Sequence, residues 1–423
     1  MCLCCQPLLI CVVFFVLNEF TPVFLSYKKL SIVNYQLSIE KKLLPLHPSS
    51  IERLCIRLNA FSQRGNIKFS AKVHHRIFFR NVLLLLLFFL KNANLRIFEM
   101  KKILGMGNAL VDILMRLRSD DLLQQLDLPK GSMQLIDEAK MREIQDATLL
   151  LGQHVVTGGS ASNAISGLAR LGVDVGFIGK VGCDSIGDFF RVDSFENGVL
   201  TYLMGSKLPS GRCHVLISPD SERTMCTYLG AASCLAADDL KLAMFRDFDV
   251  LHIEGYMVES HDLMLRAAQL ARRAGLEISL DLASYNVVDA EREFLRDYTT
   301  KYVDIVFANE EEAFAFTGKN AEEAALEIGQ MCRIAVVKVG KRGSFVVSGS
   351  EFHQIPAAKV ACIDSTGAGD LYAAGFLYGY ARGLSLDKCA RIGTICAGHV
   401  ITFVGAKMDD RTWQSINAIV GNF

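Results

Sequence analysis

Residues 364–370 read DSTGAGD, two aspartates around a Thr-Gly-Ala-Gly core, and run straight into the apolar stretch LYAAGFLYGY at 371–380. Glycines and an aspartate ahead of an apolar run are ordinary signs of a tight turn and a helix cap. The same residues also suit an anion. The amides of Gly367, Ala368 and Gly369 can all point outward at a helix N-terminus, where the backbone dipole favours negative charge. Asp370, in the first turn, could accept a proton from an attacking hydroxyl. A cap accounts for one aspartate and one glycine, but not for both aspartates with three small residues.

The surrounding chain supplies a frame for this turn. Apolar stretches at 101–107, 173–182, 248–257, 276–283, 303–309 and 333–340 have the near-continuous Val/Ile/Leu content of strands buried on both faces. Between them lie helical patterns such as HDLMLRAAQLARRAG at 261–275, with apolar residues every three or four positions. This alternation predicts an α/β fold with a largely parallel sheet and helices on both faces. Segments 113–136 and 200–230 break the rhythm with short extended runs and turn signals (PKGS, LPSG, SPDSE). They read as a small β-sheet lid that could exclude water during a transfer reaction.

Several other motifs can be weighed. No GxxxxGK[ST] loop and no HExxH motif occurs, and no GxSxG stands with triad partners in a sensible order. GMGNAL at 105–110 is half of a dinucleotide fingerprint, with Leu110 where the third glycine belongs and no acidic residue ending a second strand. TGGSASNAISGLARLG at 157–172 allows close backbone approach at Gly158 and Gly159 and places Asn163 in an apolar-periodic helix, though a glycine turn with a cap explains it as well. Asn108 and Asp112 are polar interruptions of an apolar passage, and a buried carboxylate needs a partner such as a substrate hydroxyl. Asn309 and Glu312 fall one helical turn apart after a strand. That spacing suits a helix start on dipole grounds, and equally the sparse carboxylate contact that magnesium uses.

The first 99 residues are a different kind of sequence. They hold thirteen Lys/Arg against four Glu and no Asp, a formal +9, while the remainder carries 32 basic and 41 acidic residues, a formal −9. Their single glycine is Gly65, where a folded α/β segment of this size would carry about seven. Their apolar runs at 8–17 and 82–90 are only ten and nine residues long, half of what a bilayer-spanning helix needs. Met100 opens MKKILGMGN, a start, two lysines and a first strand, so residues 1–99 are expected to be an extension upstream of the functional start. Length alone leaves open two or three domains, or one α/β unit of about 300 residues. The eight cysteines from Cys183 to Cys396 stand singly in apolar stretches and read as buried free thiols of a reducing cytosol.

With these residues in view, 101–407 resembles the ribokinase/PfkB family of carbohydrate and nucleoside kinases. The resemblance rests on the Gly-Gly segment with Asn163 leading to GKVGCDSIGD at 179–188, and on D-x-T-G-A-G-D at 364–370. It implies a three-layer α/β/α fold with a small β-sheet lid, and transfer of the γ-phosphoryl group of ATP to a primary hydroxyl. Asp370 would be the base, with Gly367, Ala368 and Gly369 as the anion hole. Asn108, Asp112, Gly158, Gly159 and Asn163 would contact substrate hydroxyls. Lys338, Gly340, Gly343, Thr366 and Gly367 would bind nucleotide, although Lys338 stands where many members have Thr, and 396–406 would line the adenine pocket. Asn309 and Glu312 would hold Mg2+ through water, and Asp364 is where many members bind a monovalent cation such as K+. The opening GMGNALVDIL and LPKGSMQLID at 128–137 look closer to the adenosine-kinase branch than to ribokinases or fructokinases. The implied partners are a small nucleoside or sugar, with no nucleic acid and no membrane, in a cytoplasmic enzyme whose lid could pair two copies as a homodimer.

Overall fold

The computed structural model describes residues 100–220 and 222–423. The expected extension at 1–99, with both of its apolar runs, lies outside these. Fourteen strands occur among the described residues: β1 (Ile103–Met106), β2 (Leu110–Arg116), β3 (Met133–Leu135), β4 (Gln153–Gly158), β5 (Val175–Gly182), β6 (Val199–Ser206), β7 (Gly211–Ile217), β8 (Arg223–Tyr228), β9 (Val250–Glu254), β10 (Glu277–Asp281), β11 (Ile305–Asn309), β12 (Ile334–Lys338), β13 (Ser344–Ser348) and β14 (Glu351–Ile355). Nine form one sheet in the order β14-β13-β12-β11-β10-β9-β1-β5-β6. The pairs from β12 through β6 are all parallel, and only the pairs β12-β13 and β13-β14 are antiparallel.

Alternation along these strands sorts their side chains into two cores. Ile103, Ile305 and Phe307 enter one core, with the helices Ser160–Arg170, Ala368–Ala381, Leu386–Val400 and Asp410–Val420. Leu104, Val306 and Ala308 enter the other, with the helices His261–Ala274, Arg292–Tyr302, Glu310–Thr317 and Ala321–Met331. A period of two in a strand buried on both faces therefore yields three layers, α/β/α. The helix at 261–275 ends as its sequence suggests, with Gly275 in a left-handed cap after Ala274.

The second sheet has the order β3-β8-β7-β2-β4. Its boundaries differ from the expected lid segments in two ways. Residues 199–206 are β6, the parallel edge strand of the main sheet paired with β5. Residues 153–158 are β4, which pairs antiparallel with β2 and completes the small sheet. The mixed pattern of VLTYLMGS, apolar residues with Thr201 and a Gly-Ser end, suits a half-buried edge in either sheet, so the sequence alone could not assign it.

All eight cysteines among the described residues are free thiols. Five are buried, but Cys183 and Cys362 are exposed, contrary to the expectation that all are buried. No helix among the described residues is long and apolar enough to cross a membrane.

The helix Ala368–Ala381 is buried along nearly its whole length, and Phe376 meets Phe307 of β11 edge to face at 5.4 Å between ring centres. That contact seats the helix, and the DSTGAGD turn at its start, on the sheet. Phe376→Ala should lower the unfolding free energy by about 3–5 kcal/mol, read from urea denaturation. A loss below about 1 kcal/mol would show that the helix is held elsewhere.

Candidate active site

Gly367 takes a left-handed conformation (φ 75°) and ends the DSTGAGD turn, so that Ala368 opens the helix. A side chain there would collide with Ala406, so the turn requires glycine both for conformation and for space. The first-turn amides of this fourteen-residue helix have no partners within it, and they carry the positive end of its dipole. Asp370 lies in that first turn. Ser160 Oγ donates to its Oδ1 at 2.8 Å and Asn163 Nδ2 to its Oδ2 at 3.0 Å. Burial pushes the Asp370 carboxyl up to about 6, against the pull of these two hydrogen bonds. A proton acceptor near neutrality, held by two donors at a helix mouth, is what a general base requires.

Ser160 and Asn163 are in place because of the glycine pair before them. Gly158 ends β4, and a side chain there would fall 2.5 Å from Asp112 Oδ1. Gly159 (φ 90°) passes so close to the Asn108 carbonyl that a side chain would stand 2.2 Å from its oxygen. Asp112, on β2, lies close enough to Asp370 for their charges to interact, with Lys407 and Arg223 also near. Burial pushes its carboxyl up to about 6, opposed by the two cations.

Asn108 is buried and gives both its backbone N–H and its Nδ2 to Glu254 Oε1, each at 2.8 Å. Glu254 Oε2 accepts from the Ala161 backbone N–H at 2.9 Å. Glu254 is 1% exposed, and burial pushes its carboxyl up to about 7 despite these donors.

The ends of the neighbouring strands complete the site. β10 ends at Asp281, β11 at Asn309 and β12 at Lys338. Lys338 Nζ donates to Asp281 Oδ2 at 3.1 Å, and a side chain on Gly369 would come within 3.2 Å of that same ammonium. Burial alone would lower the Lys338 pKa, but the Asp281, Glu312 and Asp370 carboxylates hold it above its ordinary value. Asn309 and Glu312 form a reciprocal capping box. Asn309 N donates to Glu312 Oε2 and its Nδ2 to Oε1, both at 2.7 Å, while Glu312 N donates to Asn309 Oδ1 at 2.8 Å. Burial raises the Glu312 pKa against the pull of Lys338. Gly340–Arg342 forms a single 3-10 turn closed by Gly343, just past Lys338.

Asp364 and Thr366 adjoin the anion-hole turn. Asp364 Oδ1 accepts from Thr366 N at 3.0 Å and from Thr366 Oγ1 at 2.8 Å. Its Oδ2 accepts from Gly405 N at 2.6 Å and pairs with Arg223 at 2.5 Å. Arg223 also donates to Thr366 Oγ1 at 3.1 Å. The 396–406 segment is the end of the helix Leu386–Val400 and the turns after it, with Gly398 against Ala358.

The structure thus links Asn163 to Asp370, Gly158 to Asp112, Gly159 to Asn108 and Gly369 to Lys338, with Asp112 near Asp370. It also adds residues that the sequence reading passed over: Ser160, Glu254, Asp281, Arg223 and Lys407. Glu254 and Asp281 had a signal, since each is a carboxylate at the end of a largely apolar strand (VLHIE and EISLD). In parallel sheets such positions face the ligand crevice. Beside Ser160 lies a cavity of about 400 Å³ with Asn108 and Glu254 among the polar residues of its lining. Leu110, Met133, Leu135, Met225, Leu229 and Tyr256 line its apolar side.

A model of the pfkB family carbohydrate kinase matches residues 136–413. Among solved structures, a probable sugar kinase from Rhizobium etli is 33% identical, covering 76% of this chain and 99% of its own, with a TM-score of 0.68. Adenosine kinase from Sinorhizobium meliloti is 32% identical over the same shares of the two chains, also with a TM-score of 0.68. Adenosine kinase 2 of Arabidopsis thaliana is 23% identical over 73% of this chain and 96% of its own. A buried, hydrogen-bonded aspartate at a helix mouth, a mostly parallel sheet beside a small second one, and a family match across most of the described residues agree: this chain belongs to the pfkB family of carbohydrate kinases, phosphotransferases that act on an alcohol group.

Proposed function

We propose that this enzyme is a nucleoside kinase, transferring the γ-phosphoryl group of ATP to the primary hydroxyl of a ribose-type nucleoside. One observation supports the acceptor class. The cavity beside Ser160 is walled largely by Leu, Met and Tyr side chains, with Asn108, Glu254, Glu259, Ser260 and Asn286 among the polar residues of its lining. A sugar alone presents hydroxyls on every side, and many of these would be left against apolar surface. A nucleoside suits such a lining better, with ribose hydroxyls on the polar groups and a base along the apolar wall.

In this reading Asp112 and Asn163 fix the ribose, and Asp370 takes the proton as the hydroxyl closes on phosphorus. The amides of Gly367, Ala368 and Gly369, with the Lys338 ammonium beside them, receive the charge of the transferring group. Lys338, Gly340, Gly343, Thr366 and Gly367 would hold the nucleotide. Asn309 and Glu312 fit Mg2+ only through its waters, because each Glu312 oxygen already accepts one hydrogen bond and keeps a second lone pair. Bound Mg2+ would neutralise phosphate charge. The small sheet, whose exposed Met133 and Leu135 line the cavity, would serve as the lid.

Asp370→Asn should lower turnover by about 10²–10⁴-fold while ATP binding persists, checked by steady-state kinetics with nucleotide titration. Near-normal turnover would remove Asp370 as the base. A panel of nucleosides, ribose and hexoses assayed with Mg-ATP should show preference for a nucleoside; reaction with hexoses alone would make this a sugar kinase of the ribokinase or fructokinase kind. The pH profile follows from Asp370. The base must be ionised, and its carboxyl titrates at about 6, so kcat/KM should be level above that pH and fall about tenfold per unit below it. A flat profile down to pH 5 would contradict this assignment.

A further inference from the structure

The family resemblance places a monovalent cation beside Asp364, and the residues around Asp364 do not fit one. A carboxylate offers about four in-plane acceptor positions. Here Oδ1 accepts from Thr366 N and Thr366 Oγ1 and Oδ2 from Gly405 N, and the Arg223 guanidinium is ion-paired to Oδ2. Of these neighbours Arg223 alone carries a full positive charge, and it stands where a cation paired with Asp364 would sit. A cation of this kind needs oxygen ligands. The adjacent Ile401 carbonyl is already occupied, accepting from Ile363 N at 2.8 Å and Asp364 N at 3.2 Å.

Arg223 opens strand β8 of the small sheet, and its side chain and that of Asp364 are each only 12% exposed. Its guanidinium is a planar, delocalised cation with donors in a fixed fork. It bonds Asp364 at 2.5 Å and Thr366 Oγ1 at 3.1 Å, so it spans the carboxylate and the hydroxyl two residues on. A fixed cation thus stands at the foot of the anion-hole turn, delivered by the chain itself.

We propose that Arg223 is the built-in counter-cation of Asp364, and that this kinase therefore takes no monovalent cation there and does not depend on K+. The guanidinium neutralises Asp364 and holds residues 364–366 in the conformation that presents the Gly367–Gly369 amides. The proposal rests on phosphotransferase activity but not on the choice of acceptor.

The test compares K+, Na+ and tetramethylammonium at constant ionic strength and fixed Mg-ATP, with initial rates and, separately, the melting temperature of the ADP-bound protein. Wild type should show rates within about twofold in the three salts and no K+-specific rise in melting temperature. A several-fold K+ activation, or a K+-specific stabilisation, overturns the proposal. In Arg223→Met the Asp364 position is vacated, so K+ should raise the melting temperature of the ADP-bound variant by several degrees over tetramethylammonium. Arg223→Lys, which keeps a positive charge, should remain insensitive. Arg223→Gln is read in the same way as the Met variant where the latter does not fold. If folded Met and Gln variants gain no K+ response, Arg223 is not what fills the cation position. The wild-type comparison decides K+ dependence without either variant, and the melting measurement needs no turnover, so an unsuitable acceptor cannot be mistaken for a failed proposal.

Discussion

The buried carboxylate of Glu254 fixes the geometry on which the site depends. Placed at the end of a central parallel strand and almost wholly out of water, it must find donors or be protonated. It finds them in two separate pieces of chain: Asn108, between β1 and β2, and Ala161, at the start of the helix Ser160–Arg170. Those two pieces are the points at which the main sheet gives way to the small one and at which β4 returns to the helix layer. Binding both to one side chain sets Asn108, the Gly158–Gly159 turn, Ser160 and Asn163 at defined distances. Ser160 and Asn163 in turn hold Asp370. Asp370 is therefore positioned by two side chains of one helix, whose start Glu254 of β9 ties to Asn108.

The same logic repeats along the sheet edge. β9, β10, β11 and β12 are adjacent and parallel, and they end on Glu254, Asp281, Asn309 and Lys338. Each strand is mostly apolar before its last residue, with His252 of β9 and Ser279 of β10 buried as a hydrogen-bonded pair, because both faces are covered by helices. At the carboxyl end that cover stops and the next helix has yet to begin. Polar side chains can reach one another across this crevice, as Lys338 and Asp281 do and as Asn309 and Glu312 do within one cap. A row of strand ends offers many hydrogen-bonding groups with few degrees of freedom.

This explains which parts of the molecule were legible in the sequence. The strands of the main sheet could be read because burial on both faces makes them continuous apolar runs. The helix start at DSTGAGD could be read because its signals are local: the glycine that opens the helix and the first-turn carboxylate lie within one helical turn. The partners of Asp370 are some two hundred residues away, and no local pattern connects Ser160 to it. Arg223 likewise sits in an unremarkable turn-flanked strand, and only its approach to Asp364 gives it meaning. The lid boundaries were misplaced at 199–206 because an edge strand of either sheet can carry the same mixed pattern, and what decides between them is pairing with β5.

The charges of the site have a direction. Asp112, Glu254, Glu312 and Asp370 have no cation within bonding distance, and burial raises the pKa of each. Among the described residues the cations act on these acids from farther off, Lys407 and Arg223 on Asp112 and Lys338 on Glu312 and Asp370, while Lys338 also lies beside Gly369 and Arg223 beside Thr366. In the proposed reaction the hydroxyl lies among the carboxylates and the phosphates lie between the cations. A proton leaving the hydroxyl moves toward a carboxyl already inclined to take it. The negative charge of the transferring group meets amides and cations that need no rearrangement, since their hydrogen bonds to Asp281, Asp364 and Thr366 already hold them in place. The buried acids that appear costly for the fold are thus half of a polarity that phosphoryl transfer uses. The strand ends and the helix mouth provide it together, and neither could do so alone.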